Sequence, residues 1–492
     1  MSTSPQDWYR DAKLGIMINW GPYSVPGWAP TEHGGIDSVL RAHDWSFYFE
    51  NNPDSAWYAN GLRLRESATR AYHLKHFGKH VAYERLAKRF KTETESFDPT
   101  DWVDLFSEMG ARYVVMSAKH CDGFLLWPSE QKPSPSFAAV TDVLGKVAEA
   151  ARAKKMRFGL SYSGLLDWTT QSEPIADYAD MLLVETGDEF SAYVEGHYRE
   201  LIDRYRPDIL WNLVGIPAQL SKKKLHTFYR DLVPHGLVND RWRQTGALGH
   251  KALSTSALKQ KAGEKARESI LDGKAMGSDG DFSTHTSFGP TTSQGKPWEM
   301  VCPLGYSYGF NRAEQPEHYL RSDDLVRRLI DVVSKNGNLL VSVGPEPDGT
   351  LPYEQRHRLA QLGAWLAIHG EAIFGTRPWK RAEGATSEGV PLRFTTRNNA
   401  LYVIFLETPP MLRIGISDLR LEDVPRPKLP KGQEDEIRVS LLGSEREIEW
   451  SGIDRHFTAN IPGSFRPTGP SVLKIAWVPV DAPKSNFYND II

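Results

Sequence analysis

The chain has 492 residues, enough to bury one large core and a second, smaller one. Lys and Arg total 59 against 62 Asp and Glu, a balance that gives no electrostatic footing for nucleic acid. No run of about 18 apolar residues occurs, which argues against a membrane span, and two cysteines, Cys121 and Cys302, are too few for a disulfide framework.

The opening stretch, MSTSPQDWYRDAKLG, is polar and lacks the apolar segment of a secretion signal. Together with the cysteine usage, this sets the expectation of a cytoplasmic protein. From Leu14 to Pro345, short apolar runs alternate with longer amphipathic ones. The strand candidates are LGIMINWG (14–21), ARYVVMSAKH (111–120), MRFGLSYSG (156–164), DILWNLVG (208–215), GLVNDRW (236–242), PLGYSYGF (303–310) and NLLVSVGP (338–345). Helical patterns cover Asp101–Met109, Ala139–Lys154, Glu195–Arg206 and Ser322–Lys335. The Asp98-Pro99-Thr100-Asp101 stretch ahead of the first supplies a helix-start signal. Repeated strand–helix units predict an α/β fold, a (β/α)8-like TIM-type barrel, whose chemistry sits at the C-terminal ends of the strands. The unusual polar groups fall at those ends: Asn19, His120, Tyr162 and Arg241.

Gly246–Gly277 is rich in Ala, Lys and Glu and helical in propensity. It follows a strand ending at Arg241 and should rise from the catalytic face, either as a solvated surface helix or as a lid or docking arm. After Trp379 the grammar changes. Arg393–Thr396, Ala400–Leu406, Glu436–Leu441, Arg446–Trp450 and Val472–Pro479 read as short strands between turn residues, the pattern of a β-sandwich. The expected domains are therefore a barrel over 1–379 and a C-terminal β-sandwich over 380–492.

Several segments, in order, resemble glycoside hydrolase family 29, the α-L-fucosidases. They are KLGIMINWGPYSVPGW (13–28), FDPTDWVDLFSEMGARYVVMSAKHCDGFLLW (97–127), FGLSYSGLLDW (158–168), Pro207–Pro217, VNDRW (238–242), Trp298-Glu299 and NGNLLVSVGPEPDGTLP (336–352). The resemblance spans nearly the whole chain and implies the same barrel-plus-sandwich fold. It also implies a retaining mechanism, in which one carboxylate attacks the anomeric carbon while a second carboxyl group protonates the leaving oxygen and later deprotonates water. On this resemblance the nucleophilic aspartate falls on Leu213 of ILWNLVG, and a leucine has no lone pair to offer. The nearest acid in sequence, Asp208, lies at the other end of the strand, roughly 16 Å away at the usual rise per residue. The acid/base glutamate aligns with Thr286 in DFSTHTS (281–287), whereas the glutamate of the Trp-Glu pair survives as Glu299.

The implied sugar contacts are edited as well. Asn19 stands for a histidine and Ala56 for a glutamate, with Trp57 and Tyr58 kept. Cys121 stands for the second of two histidines, with His120 kept. Ser161 stands for a tyrosine, with Tyr162 kept, and Arg241 is present. His285 occupies a position where the close relatives carry a small residue. Its reference pKa near 6.5 suits an acid or base at neutral pH, although a loop histidine can equally be structural.

Other chemistries lack support. His120, Cys121 and Asp122 are adjacent and cannot all face one ion from a strand end, so no metal is expected. A cysteine nucleophile at Cys121 has no base on its own side of the strand. Neither phosphate-binding glycine motif occurs, so no nucleotide cofactor is expected.

The reading is a repurposed fucosidase-fold enzyme that binds a glycoside or a sugar-bearing metabolite. Asn19, Trp57, Tyr58, Cys121, Tyr162, Leu213, Arg241 and Thr286 line the site, and proton transfer falls to His120, His285 or Glu299, with no glycosyl-aspartate. A specialised biosynthetic pathway is a natural setting. Substrate-assisted hydrolysis, elimination, isomerisation and cyclisation stay open, as does oligomerisation. The alternatives are a non-catalytic carbohydrate-binding protein and an α-L-fucosidase with a substitute nucleophile.

Overall fold

The computed structural model describes residues 7–480 apart from 132–136, 185, 254, 276, 278, 287–288, 410–412, 428–432, 445–446, 454–455 and 463–468. Eight parallel strands form one curled sheet: β1 (Leu14–Ile18), β2 (Tyr113–Lys119), β3 (Arg157–Tyr162), β4 (Ile209–Asn212), β5 (Leu237–Val238), β6 (Ser283–Thr286), β7 (Trp298–Pro303) and β8 (Gly337–Val343). Their order is β5-β4-β3-β2-β1-β8-β7-β6. Such strands are covered on both faces, so LGIMI, YVVMSAK and GNLLVSV are buried throughout and read as nearly continuous apolar runs. Gly15 pairs with Tyr113 on β2, and a Cβ on Gly15 would meet the tyrosine ring at 2.4 Å, so a glycine here makes room for that ring inside the barrel.

The two ends of the sheet meet through side chains as much as through backbone. Asp281 donates its N–H to the Val238 carbonyl at 2.9 Å, and its Oδ2 accepts the Val238 N–H at 2.8 Å. Asp240 Oδ1 accepts the Thr284 N–H at 3.1 Å. On the other edge of β5, Asn239 takes over strand pairing with its amide: Oδ1 accepts from the Asn212 N–H, and Nδ2 donates to the Asn212 carbonyl. These polar substitutes explain why β5 is two residues long.

Two strand expectations need correction. Of PLGYSYGF (303–310), Pro303 ends β7 and the rest is an irregular loop, not a strand. β6 (STHT) and β7 (WEMVCP) were not expected as strands, because polar residues and a glutamate interrupt their apolar pattern. The four expected helices occupy Thr100–Glu108, Val143–Ala153, Asp188–Tyr205 and Ser322–Ser334.

The C-terminal strands form a five-stranded antiparallel sheet, ordered β13-β16-β11-β10-β9, facing a three-stranded one, β12-β15-β14. The first sheet contains β9 (Arg377–Ala385), β10 (Pro391–Arg397), β11 (Ala400–Phe405), β13 (Asp435–Leu441) and β16 (Ser471–Pro479). The second contains β12 (Arg413–Ser417), β14 (Trp450–Ile453) and β15 (His456–Asn460). The boundary expected at residue 379 falls inside β9. Of the strand expected at Arg446–Trp450, Arg446 lies outside the described residues, and Trp450 opens β14. β11 is buried on both faces. Leu401, Val403 and Phe405 join the sandwich core, while Ala400, Tyr402 and Ile404 join the barrel's core. Arg393 fastens the junction through Asp331 at 2.7 Å on the helix Ser322–Ser334.

The loop that replaced the expected strand packs tightly on the end of β8. A Cβ on Gly344 would lie 2.2 Å from the Phe310 nitrogen and 2.3 Å from the Gly309 carbonyl carbon, both backbone atoms. Gly344→Ala is therefore expected to cost about 1–3 kcal/mol of stability through overpacking, read as a lower urea midpoint. Gly295→Ala, with nothing within 4 Å of its added Cβ, is the control and should leave the midpoint unchanged.

Candidate functional site

A cavity of about 220 Å³ opens where the barrel strands end. Asn19 follows β1, His120 follows β2, Leu213 and Val214 follow β4, Arg241 follows β5, Thr286 ends β6 and Tyr308 sits on the loop after β7. The walls above are apolar and aromatic: Ile36, Leu40, Trp45, Tyr48, Phe49, Trp57, Tyr178, Met181 and Leu182. The Gly246–Gly277 segment forms two helices, Ala247–Leu253 and Ser256–Leu271, and the second roofs the cavity with Ile270. It is fastened by Trp45 Nε1 donating to the Gly263 carbonyl at 2.7 Å, by Arg267 Nε donating to the Leu40 carbonyl at 2.6 Å, and by the Lys259–Asp180 ion pair at 2.9 Å.

Of the residues proposed from sequence, Asn19, Trp57, His120, Leu213, Arg241 and Thr286 share this cavity. Leu213 is half-buried, and its N–H bonds the Tyr162 carbonyl at 2.9 Å, which holds the isobutyl group on the same strand face as Trp211. Asn19 donates from Nδ2 to Ser342 Oγ at 2.8 Å. The Arg241 guanidinium lies 4.6 Å from the centre of the Trp211 ring, and its Nε donates to Thr284 Oγ1 at 2.8 Å. Burial lowers the arginine's pKa, although a guanidinium stays charged in any protein interior. Burial also pushes the His120 imidazole down to about 4, so it enters the cavity neutral. Three buried polar atoms of the lining have no hydrogen-bond partner among the described residues: His120 Nδ1, Arg241 Nη2 and the Tyr308 hydroxyl.

The other proposed residues do not line the cavity. Glu299 sits one layer down inside the barrel, completely buried. Its Oε2 accepts from the Tyr9 hydroxyl at 2.9 Å and the Tyr113 hydroxyl at 2.6 Å, and its Oε1 accepts from Trp211 Nε1 at 3.0 Å. His285 points to the outside of β6. Thr284 and Thr286 face inward, so strand alternation sends the ring between them outward, where it packs on Trp298 and bonds the Gly273 carbonyl at 3.0 Å. Tyr58 bonds His73 Nδ1 at 2.9 Å, and Tyr162 bonds His197 Nδ1 at 2.8 Å. Cys121 is fully buried against Ser163 Oγ at 3.4 Å, and burial pushes its thiol up to about 12, far from a thiolate at neutral pH. Ser287, at the end of the DFSTHTS segment, lies outside the described residues. Asp208 binds Arg157 and the Phe158 N–H at the opposite end of the barrel.

Asp54 was missed from sequence. Its Oδ1 accepts from the N–H groups of Ala56, Tyr308 and Gly309 and from Ser307 Oγ, at 3.1–3.3 Å. Oδ2 has no partner among the described residues, and the side chain faces the cavity. Burial raises its pKa against those four donors, so the carboxyl group holds a proton more readily than a free aspartate. Asp54 is also the single acidic residue among the described lining. The one signal in the sequence was a carboxylate two residues before Ala56, which reads equally well as a helix cap, and it does cap Ser55–Trp57.

Two outcomes follow. Glu299→Gln turns an amide N–H toward hydroxyl and indole donors and is expected to cost about 1–3 kcal/mol in urea unfolding. NMR of His120 should show a neutral ring down to pH 5 and a midpoint near about 4. Because the folded pKa lies below the unfolded one, acid protonates the unfolded chain first. His120 therefore withdraws stability as pH falls from roughly 6.5 toward its folded pKa, and His120→Gln should flatten that part of the profile.

A family model described as Alpha-L-fucosidase matches residues 2–371. The α-L-fucosidase of Dictyostelium discoideum is 28% identical over 425 residues, covering 82% of this chain and 78% of its own. Human tissue α-L-fucosidase is 26% identical over 460 residues, covering 90% and 82%. The crystal structure of Thermotoga maritima α-fucosidase with a mechanism-based inhibitor aligns over 96% of this chain and 97% of its own, at 34% identity and a TM-score of 0.78. Matched by the family model along its barrel and by that enzyme's structure through both domains, the chain belongs to the α-L-fucosidase family.

Proposed function

We propose that this chain is a repurposed member of its family, acting on a glycoside or sugar-bearing metabolite by proton transfer and without a glycosyl-aspartate intermediate. The observation that carries this reading is Leu213, whose side chain lines the cavity at the position that the resemblance gives to the attacking aspartate. An oxocarbenium-like transition state needs negative charge beside it. A leucine supplies none, and the buried Arg241 nearby opposes it. The groups able to move a proton within the cavity are His120, neutral at physiological pH, and Asp54, whose raised pKa suits a donor. The apolar walls favour a deoxygenated or otherwise modified sugar, or an aglycone reaching inward, over free fucose.

A second reading, α-L-fucoside hydrolysis with a substitute nucleophile, draws on Asp54. Retaining hydrolysis uses two carboxyl groups about 5 Å apart, and Asp54 is the single acid among the described lining residues. That count favours the first reading.

Intact-mass spectrometry after incubation with 2-fluoro-fucosyl fluoride separates the two. No mass gain is expected for the wild-type protein, and aryl α-L-fucoside turnover is expected to stay at the buffer blank. The Leu213→Asp variant should remain at the blank too, because Thr286 and Ala56 leave the acid/base and a sugar contact missing as well. A covalent adduct on Asp54, or measurable turnover in Leu213→Asp, would overturn the proposal.

A further inference from the structure

Arg241 carries a fixed charge into an apolar cavity. Its Nε is committed to Thr284, its plane lies over Trp211, and Nη2 is buried with no partner among the described residues. The two nearby carboxylates that influence it, Asp240 and Glu299, spend their oxygens elsewhere: Asp240 on Thr284 and the Gly277 N–H, Glu299 on Tyr9, Tyr113 and Trp211. No ion pair to Arg241 exists among the described residues. Leu213, on the same strand face as Trp211, offers only methyl groups. A guanidinium cannot discharge itself by losing its proton, so its lost hydration must be replaced by an acceptor. The Tyr308 hydroxyl, also buried and without a partner, is close enough to share its field with Arg241 and adds a second donor in the cavity.

We propose that the substrate carries a carboxylate, as in a sugar acid or an acidic substituent on a glycoside, which binds end-on to Arg241 Nη1 and Nη2 and accepts a hydrogen bond from Tyr308. With Nε occupied, the outer pair of nitrogens is the bidentate face that remains. A monoanion fits one buried guanidinium among apolar walls. A phosphate dianion needs more donors than this lining provides, since its other cation, Arg243, is exposed. The inference deepens the glycoside reading and rests on it for the sugar part of the ligand alone.

Calorimetry with matched pairs tests it: 4-nitrophenyl D-glucuronides against the corresponding 4-nitrophenyl D-glucosides, in both anomeric forms, with 4-nitrophenylacetate as a carboxylate lacking a sugar. The glucuronide of one anomer is expected to bind at least about tenfold more tightly than its glucoside, the gain typical of a desolvated charge-assisted pair. Arg241→Met should erase that preference, so that glucuronide and glucoside bind alike whatever their common affinity becomes. Tyr308→Phe, a conservative change that keeps the ring, should reduce the preference several-fold and keeps the test decisive if Arg241→Met does not fold. Equal binding of glucuronide and glucoside overturns the carboxylate inference and leaves the glycoside reading standing. Binding of 4-nitrophenylacetate through Arg241 without binding of any glycoside supports the anion site and overturns the glycoside reading. Binding of none of the probes overturns both.

Discussion

Glu299 accepts hydrogen bonds from Tyr9, Tyr113 and Trp211 in the interior of the barrel, and the site above it depends on that arrangement. A buried carboxylate is costly unless its oxygens are filled, and here three donors from three separate segments fill them. The return on that cost is positional. The bond to Nε1 fixes the Trp211 indole, the indole is the platform under Arg241, and Leu213 follows two residues on, just past the end of the strand. Orientation of Arg241, the deeper of the two arginines among the described lining residues, is thus set one layer below it, by a residue outside the lining. A residue that resembles a proton donor in sequence can in this way be a structural counter-charge, and what tells the two apart is whether its lone pairs are already spent.

Much of the barrel was legible because parallel strands covered on both faces must be apolar end to end, as LGIMI and YVVMSAK are. β6 and β7 escaped for the converse reason. β6 is four residues bearing three hydroxyls and an imidazole, held to its neighbours partly by Asp240 and Asp281, and β7 carries the buried glutamate in its second position. PLGYSYGF read as a strand because tyrosine and phenylalanine favour strands. Its glycines instead serve contacts, with Gly309 lying against Tyr23 and Ser55 closely enough that no Cβ would fit. Strand alternation alone could have placed His285 correctly: once Thr286 faces the cavity, its neighbour faces out. Asp54 could not be found this way, because three of its four donors come from the loop at Ser307–Gly309, some 250 positions along the chain.

The polar groups around the cavity divide into those that protein partners satisfy and those that they do not. Beside His120, Lys119 is paired with Asp167 at 2.8 Å with both side chains fully buried, and Asp122 accepts from Tyr83 at 2.7 Å and from the Phe124 N–H at 3.1 Å. Those bonds hold the turn after β2 on both sides of the histidine, so the ring's position is decided before any ligand arrives. Among the described residues, the lining atoms left without protein partners are His120 Nδ1, Arg241 Nη2 and the Tyr308 hydroxyl, which share one cavity. Each costs about 1–3 kcal/mol if unsatisfied, which is a large charge on a marginally stable fold. A site that spends stability in this way gains affinity for a partner matching its three atoms, because little further ordering is needed on binding. The polar demand of this cavity therefore describes its ligand more closely than its apolar walls do. Walls of leucine and tryptophan accept many shapes, whereas a fixed guanidinium, a phenol and a neutral imidazole at set positions accept few.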